Sequence, residues 1–208
     1  MTRPARWLPL AVGVAVALSA SVPPASAAPS ATRVVDCRPS NAQCWPTAFA
    51  FVPSGNLLFY VERFTGQIRR VNLSTGADSL WHRIPNVGQG GEQGLLGLAL
   101  DPGWARGAGE RWVYAFYTNA AVGQNQIVRL RKGPDGIDRK VLVGIELDPP
   151  RENHNGGVIH FGPDRKLYAV TGDQGLDPGR SQDLADDAGK VLRLNQDGSV
   201  PADNPVSG

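Results

Sequence analysis

The stretch Phe161-Gly162-Pro163-Asp164-Arg165-Lys166-Leu167-Tyr168-Ala169-Val170 sets a proline turn between an apolar run and a second run centred on an aromatic residue. Residues 166–170 are rich in aromatic and β-branched side chains and predict a strand. The same frame stands twice upstream. Phe51-Val52-Pro53-Ser54-Gly55 precedes Leu57-Leu58-Phe59-Tyr60-Val61, and Leu98-Ala99-Leu100-Asp101-Pro102-Gly103 precedes Arg111-Trp112-Val113-Tyr114-Ala115-Phe116-Tyr117. Pro53, Pro102 and Pro163 are 49 and 61 residues apart.

A further strand returns in each unit before a polar turn. It reads Ile68-Arg69-Arg70-Val71-Asn72-Leu73 in the first, Ile127-Val128-Arg129-Leu130 in the second and Val191-Leu192-Arg193-Leu194-Asn195 in the third. No window sustains a helical period, so the chain is expected to be all-β. Antiparallel repeats of this length predict blades of a β-propeller, with an ordinary antiparallel sandwich as the alternative the pattern leaves open. Propellers close with about four to eight blades, so three repeats are expected to form part of a larger ring, with open blade edges that favour self-association.

Upstream of the repeats, Arg3 and Arg6 precede an apolar run from Leu8 to Ala20, then Pro23-Pro24 and Ala25-Ser26-Ala27. This layout predicts a secretory signal peptide over 1–27, with an uncleaved anchor as the alternative; the run is short for a membrane span. A segment over 28–44 and a partial propeller over 45–208 follow. The expected location is secreted or periplasmic, with no membrane span after cleavage.

Of the 21 lysines and arginines, Arg3 and Arg6 fall in the leader, so the remainder balances the 19 acidic residues. With no cationic cluster to neutralise phosphates, nucleic acid is not an expected partner, and a small neutral substrate is favoured. Cys37 and Cys44 are the only cysteines. In an exported chain they predict a local disulfide, against two unpaired thiols as the alternative.

Glu152-Asn153-His154-Asn155-Gly156-Gly157 places a histidine among polar groups and glycines directly before a strand. Asp173 follows nineteen residues later at the end of the next strand, so a hairpin could return it beside His154. An imidazole that can be neutral at working pH, oriented by a carboxylate, suits general-base chemistry. On the residues alone, an exposed turn histidine and an Asx-turn aspartate remain open. Asp183, Asp186 and Asp187 lack the spacing of an EF-hand and predict a solvated acidic loop. The glycines from Gly88 to Gly94 lack a following Lys-Ser/Thr and predict turns, not a phosphate cradle.

Three motifs resemble the soluble PQQ-dependent glucose and aldose sugar dehydrogenases, the glucose/sorbosone dehydrogenase family. They are Gly91-Glu92-Gln93-Gly94-Leu95-Leu96-Gly97-Leu98-Ala99-Leu100-Asp101-Pro102; the His154 segment with Gly162-Pro163-Asp164 and Thr171-Gly172-Asp173-Gln174-Gly175; and the seventeen-residue run from Gly189-Lys190-Val191 to Asp203-Asn204-Pro205. The match is to the family's N-terminal half. It implies a six-bladed propeller with about three blades in this chain, and oxidation of an aldose at its anomeric carbon to a lactone, with hydride passing to the quinone and then to an external electron acceptor.

The resemblance also implies that His154 is the base and that Asp173 orients it. Glu92, Gln93 and Asn153 are implied in sugar or cofactor contact, although relatives place a glutamine where Glu92 stands. PQQ and calcium are implied as cofactors, but no segment here corresponds to their main ligands, so no metal ligand is assigned and the chain alone is expected to be weak or inactive. Two other functions stay open: a secreted propeller that binds a protein or glycan without chemistry, and a metal-dependent lactonase-type propeller.

Overall fold

Eleven β-strands form three antiparallel sheets among the described residues. The structure is a computed structural model; it describes residues 32–35, 44–53, 55–104, 111–147, 152–175, 177 and 179–206. The expected signal peptide and Cys37 lie outside these residues.

The first sheet runs β1 (Pro46–Phe51), β2 (Leu57–Glu62), β3 (Gln67–Asn72) and β4 (Asp78–Arg83), paired in chain order. The second repeats that order with β5 (Leu95–Leu100), β6 (Val113–Asn119), β7 (Gln124–Gly133) and β8 (Gly136–Glu146). The third pairs β9 (Gly156–Phe161) with β10 (Leu167–Thr171) and β10 with β11 (Val191–Leu194). Pro53, Pro102 and Pro163 each fall between the first and second strand of a sheet, where the lack of an N–H removes no ladder bond.

The outer strands β4 and β8 were not evident in the sequence. Most of their residues are exposed. Without a continuous apolar stripe they carry little of the period-two signal by which strands are recognised.

The middle sheet is packed on both faces, and β6 shows it residue by residue. Val113 through Thr118 are all buried. Val113, Ala115 and Tyr117 join the cluster that includes Phe59, Val61 and Ile68 of the first sheet. Tyr114 and Phe116 join Ile159, Leu167 and Ala169 of the third. Alternation of side chains across a strand thus feeds two cores from one segment. Each large apolar side chain fully removed from water contributes roughly 1.5–3 kcal/mol.

The first strands of successive sheets approach closely. A Cβ on Gly97 of β5 would lie 2.0 Å from the carbonyl oxygen of Gly157 in β9, and one on Gly157 would lie 2.5 Å from Leu96 Cβ. Glycine at both positions lets the two backbones meet.

Because strands alternate in direction, the turns after β2, β4, β6, β8 and β10 emerge at one end of the sheets. That end gathers residues 63–66, 84–94, 120–123, 152–155, 172–175, 177 and 179–190.

Candidate active site

His154 sits in the loop before β9 with φ of 54°. Such a left-handed backbone costs a non-glycine residue about 1–2 kcal/mol. Three contacts hold it there. Its main-chain N donates to Glu92 Oε2 at 2.6 Å, its carbonyl oxygen accepts from the main-chain N of Gln174 at 3.2 Å, and its Nδ1 lies 2.9 Å from Asp173 Oδ1.

Asp173 is where the hairpin of β9 and β10 was expected to return it. The hydrogen bond from His154, and next that from the main-chain N of Gly175, hold its carboxyl below the usual carboxylate range. An ionised carboxylate only accepts hydrogen bonds, so Nδ1 of His154 is the donor and Nε2 is left to take a proton. The His154 side chain is 58% exposed and that of Asp173 30%, so the pair faces solvent at the end of the sheets.

Gly172 and Gly175 make room for this arrangement. A Cβ on Gly172 would fall 1.5 Å from the His154 carbonyl oxygen, and one on Gly175 would fall 3.2 Å from Nδ1. Across the loop, Cβ atoms on Gly90 and Gly91 would collide with Glu152, at 2.1 and 2.7 Å. The glycine turn and the His154 loop therefore lie against each other, joined also by a 2.8 Å bond from Glu92 N to the carbonyl of Glu152.

Of the other residues implied in contact with sugar or cofactor, Asn153 lies beside His154 and is exposed. Its Oδ1 would be 2.7 Å from a Cβ on Gly91. Gln93 sits in the glycine turn, where its carbonyl accepts from Arg63 Nε at 2.9 Å. Arg63 also donates to the carbonyl of Gly91 and places its guanidinium 4.6 Å from the Phe64 ring centroid. The structure brings His154, Asp173, Glu92, Gln93 and Asn153 to one end.

Sequence reasoning did not single out Arg63, Thr118, Asn125, Asn155 or Gln174. Gln174, 2% exposed and with φ of 64°, donates through Nε2 to the carbonyl of Glu146 at 2.7 Å. Asn155 lay in the quoted motif, but its partner Asn125 is 30 residues away and no local signal pairs them.

Other polar residues of the third sheet are engaged structurally. Lys190 Nζ donates to the carbonyls of Arg180 and Ala188, and Arg193 holds Asp164, Asp203 and Asn204. His160 is part of β9, with its side chain exposed opposite Tyr168.

Successive antiparallel sheets, each paired strand by strand in chain order or its reverse, define a protein of the β-propeller class. The model of the family Glucose / Sorbosone dehydrogenase matches residues 44–208, and the chain belongs to that family. It is 31% identical over 192 residues to quinoprotein glucose dehydrogenase B of Acinetobacter calcoaceticus, covering 77% of this chain and 39% of that protein. Among solved structures it is similar to a putative oxidoreductase (glucose dehydrogenase) of Thermus thermophilus, with 37% identity and a TM-score of 0.69 over 84% of this chain and 50% of that one. The PQQ-bound aldose sugar dehydrogenase of Streptomyces coelicolor gives 34% identity and a TM-score of 0.62, over 79% and 51%. The fold is the six-bladed propeller type, with three sheets among the described residues, and the chain spans about half or less of the length of these relatives.

The described residues fit a quinone and sugar in part. The exposed imidazole, Asn153 and the glycine turn offer a proton acceptor and polar groups on an open face, which suits the reacting edge. Arg63, beside that turn, is committed to the carbonyls of Gly91 and Gln93, so it is not placed to neutralise a cofactor carboxylate. Among the described residues no group of three or more His, Cys, Asp or Glu side chains could hold a metal ion.

Proposed function

We propose that this chain supplies the base-bearing part of an exported PQQ-dependent sugar dehydrogenase that oxidises an aldose at its anomeric carbon to a lactone. The observation that carries the reading is the 2.9 Å bond between His154 Nδ1 and Asp173 on an open end of the sheets. The family match and the PQQ-bound relative support it.

His154 Nε2 takes the proton of the anomeric hydroxyl as the C1–H bond breaks, and the C1–O bond becomes the lactone carbonyl. Asp173 stabilises the imidazolium that forms and keeps the ring in the Nδ1–H tautomer. Glu92 holds the main chain of His154, and Asn153 and Gln93 are positioned to meet sugar hydroxyls or quinone oxygens. A bound quinone would supply the hydride acceptor for this oxidation and a route for the electrons to an external acceptor.

Because the chain spans about half of its relatives, the reaction is proposed for the complete propeller, with weak or no turnover from these 208 residues alone. Calcium is expected in that complete protein on the same resemblance, with ligands outside this chain. Export, a Cys37–Cys44 disulfide and self-association through open blade edges belong to the same proposal. Cys44 is not a free thiol, which supports the disulfide.

The test is dye-linked aldose oxidation by the purified chain with added PQQ and calcium, alone and joined to the remaining blades of a relative. Turnover in the completed propeller that disappears in His154→Ala is expected. Full turnover in that variant would overturn the assignment of the base.

A further inference from the structure

The hydrogen bonds that seat the His154 loop lead back into the middle sheet. Thr118 on β6 and Asn125 on β7 are paired across the ladder and, like Asn155, are no more than 2% exposed. Thr118 Oγ1 donates to Asn125 Oδ1 at 2.8 Å, Asn125 Nδ2 donates to Asn155 Oδ1 at 3.0 Å, and Asn155 Nδ2 donates to the carbonyl of Glu152 at 2.7 Å.

The chain has one direction. With the Thr118 proton on Asn125 Oδ1, the amide of Asn125 can present only its NH2 to Asn155, which then turns its own NH2 to Glu152. Thr118 also fixes the glycine turn. Its main-chain N donates to the carbonyl of Gly94 at 2.9 Å, and its carbonyl accepts from Gly88 N at 2.9 Å. The two loops that meet at His154 are thus tied to one cross-strand pair of the middle sheet, the loop carrying Glu92 through Thr118 and the loop carrying the histidine through Asn125. Buried amides left without partners cost more than the bond is worth, so this arrangement is strongly enforced.

We propose that Asn125, acting through Asn155, is a positioning residue for His154, so that the middle sheet sets the reach of the imidazole toward Asp173. The inference rests on the reading of His154 as the base. It assigns Asn125 no contact with sugar or quinone.

The test is nitrogen-detected NMR of the imidazoles in the full 208-residue chain, whose three histidines are His82, His154 and His160. The His154 signals are assigned by their loss in His154→Ala. In the unsubstituted chain His154 should show a protonated, Asp173-bonded Nδ1. In Asn125→Ala that signal should be lost and the Nε2–H form populated, with His82 and His160 unchanged.

Thr118→Val, which removes the hydroxyl at similar shape, should act in the same direction, and Thr118→Ser should restore the original spectrum. A His154 spectrum preserved in every folded variant would overturn the proposal even if melting temperatures fell, because lost packing alone lowers stability without moving the tautomer. So would the absence of an Asp173-bonded Nδ1–H in the unsubstituted chain. The readout needs neither quinone nor sugar, so an inactive propeller would count against the proposed function and leave this result standing.

Discussion

The carboxylate of Glu92 accepts the main-chain N–H of His154 across 62 residues of sequence. A residue expected to meet sugar or cofactor is thus also a clamp on the backbone of the proposed base. Glu92→Ala should lower kcat/KM of the completed propeller by about 10²-fold, the loss that misplacing a reacting group by an ångström brings. Glu92→Gln keeps an acceptor of the same length and should retain most of the activity. Steady-state kinetics of both variants check this, and equal losses would mean that the charge, not the clamp, matters.

Asp173→Asn leaves an amide where Nδ1–H needs an acceptor, and a flipped amide favours the wrong tautomer. Turnover should fall by about 10²-fold or more, since an amide in place of an orienting carboxylate can cost about 10⁴ in the serine-protease triad. The thermal midpoint should change little, because both side chains are substantially exposed. A large loss of stability with activity intact would contradict this division of roles.

Gly172→Ala drives a Cβ to 1.5 Å from the His154 carbonyl oxygen, a backbone group that cannot swing aside. Destabilisation of about 1–3 kcal/mol is expected from overpacking, with loss of the active geometry. Gly55→Ala, where nothing stands within 4 Å and φ is not left-handed, should be neutral or slightly stabilising. Urea denaturation of the two variants checks the contrast.

Phe116 is fully buried between the middle and third sheets. Phe116→Ala should cost about 3–5 kcal/mol, through lost transfer energy and the cavity left behind. Tyr114→Phe removes only the hydroxyl that donates to the carbonyl of Gln196 at 3.0 Å and should cost about 1 kcal/mol. Equilibrium unfolding would contradict the packing scheme if the order of the two were reversed.

Acid should unfold the protein through its paired carboxylates. Asp186 and Asp203 are held below the ordinary range, first by the hydrogen bonds from Arg180 and Arg193 respectively. A carboxyl with a depressed folded pKa takes up its proton first in the unfolded chain. Its contribution is therefore complete above about pH 4 and is lost as pH falls below that value. Thermal midpoints should be flat from about pH 7 to 5 and fall between about 4 and 2, with a shallower fall in Asp186→Asn.

Much of the architecture was legible in neighbouring residues. Aromatic and β-branched runs on either side of Pro53, Pro102 and Pro163 place β1 and β2, β5 and β6, and β9 and β10, because strand propensity and turn chemistry act over a few positions. The returning strands β3, β7 and β11 were visible for the same reason. The short hairpin from His154 to Asp173 also lies within that reach, since antiparallel pairing of adjacent strands brings its ends together.

The polar outer strands β4 and β8 were hidden, since only pairing with β3 and β7 makes them strands. The clamp from Glu92 and the buried path through Thr118, Asn125 and Asn155 depend on how whole sheets stack, with Gly97 and Gly157 allowing the close approach of β5 and β9. Residue types and local turns were thus written in the chain. Which distant amide or carboxylate grips the His154 loop was decided by tertiary packing, because hydrogen bonds across 30 and 62 residues form only where two sheets are already held together by their apolar faces.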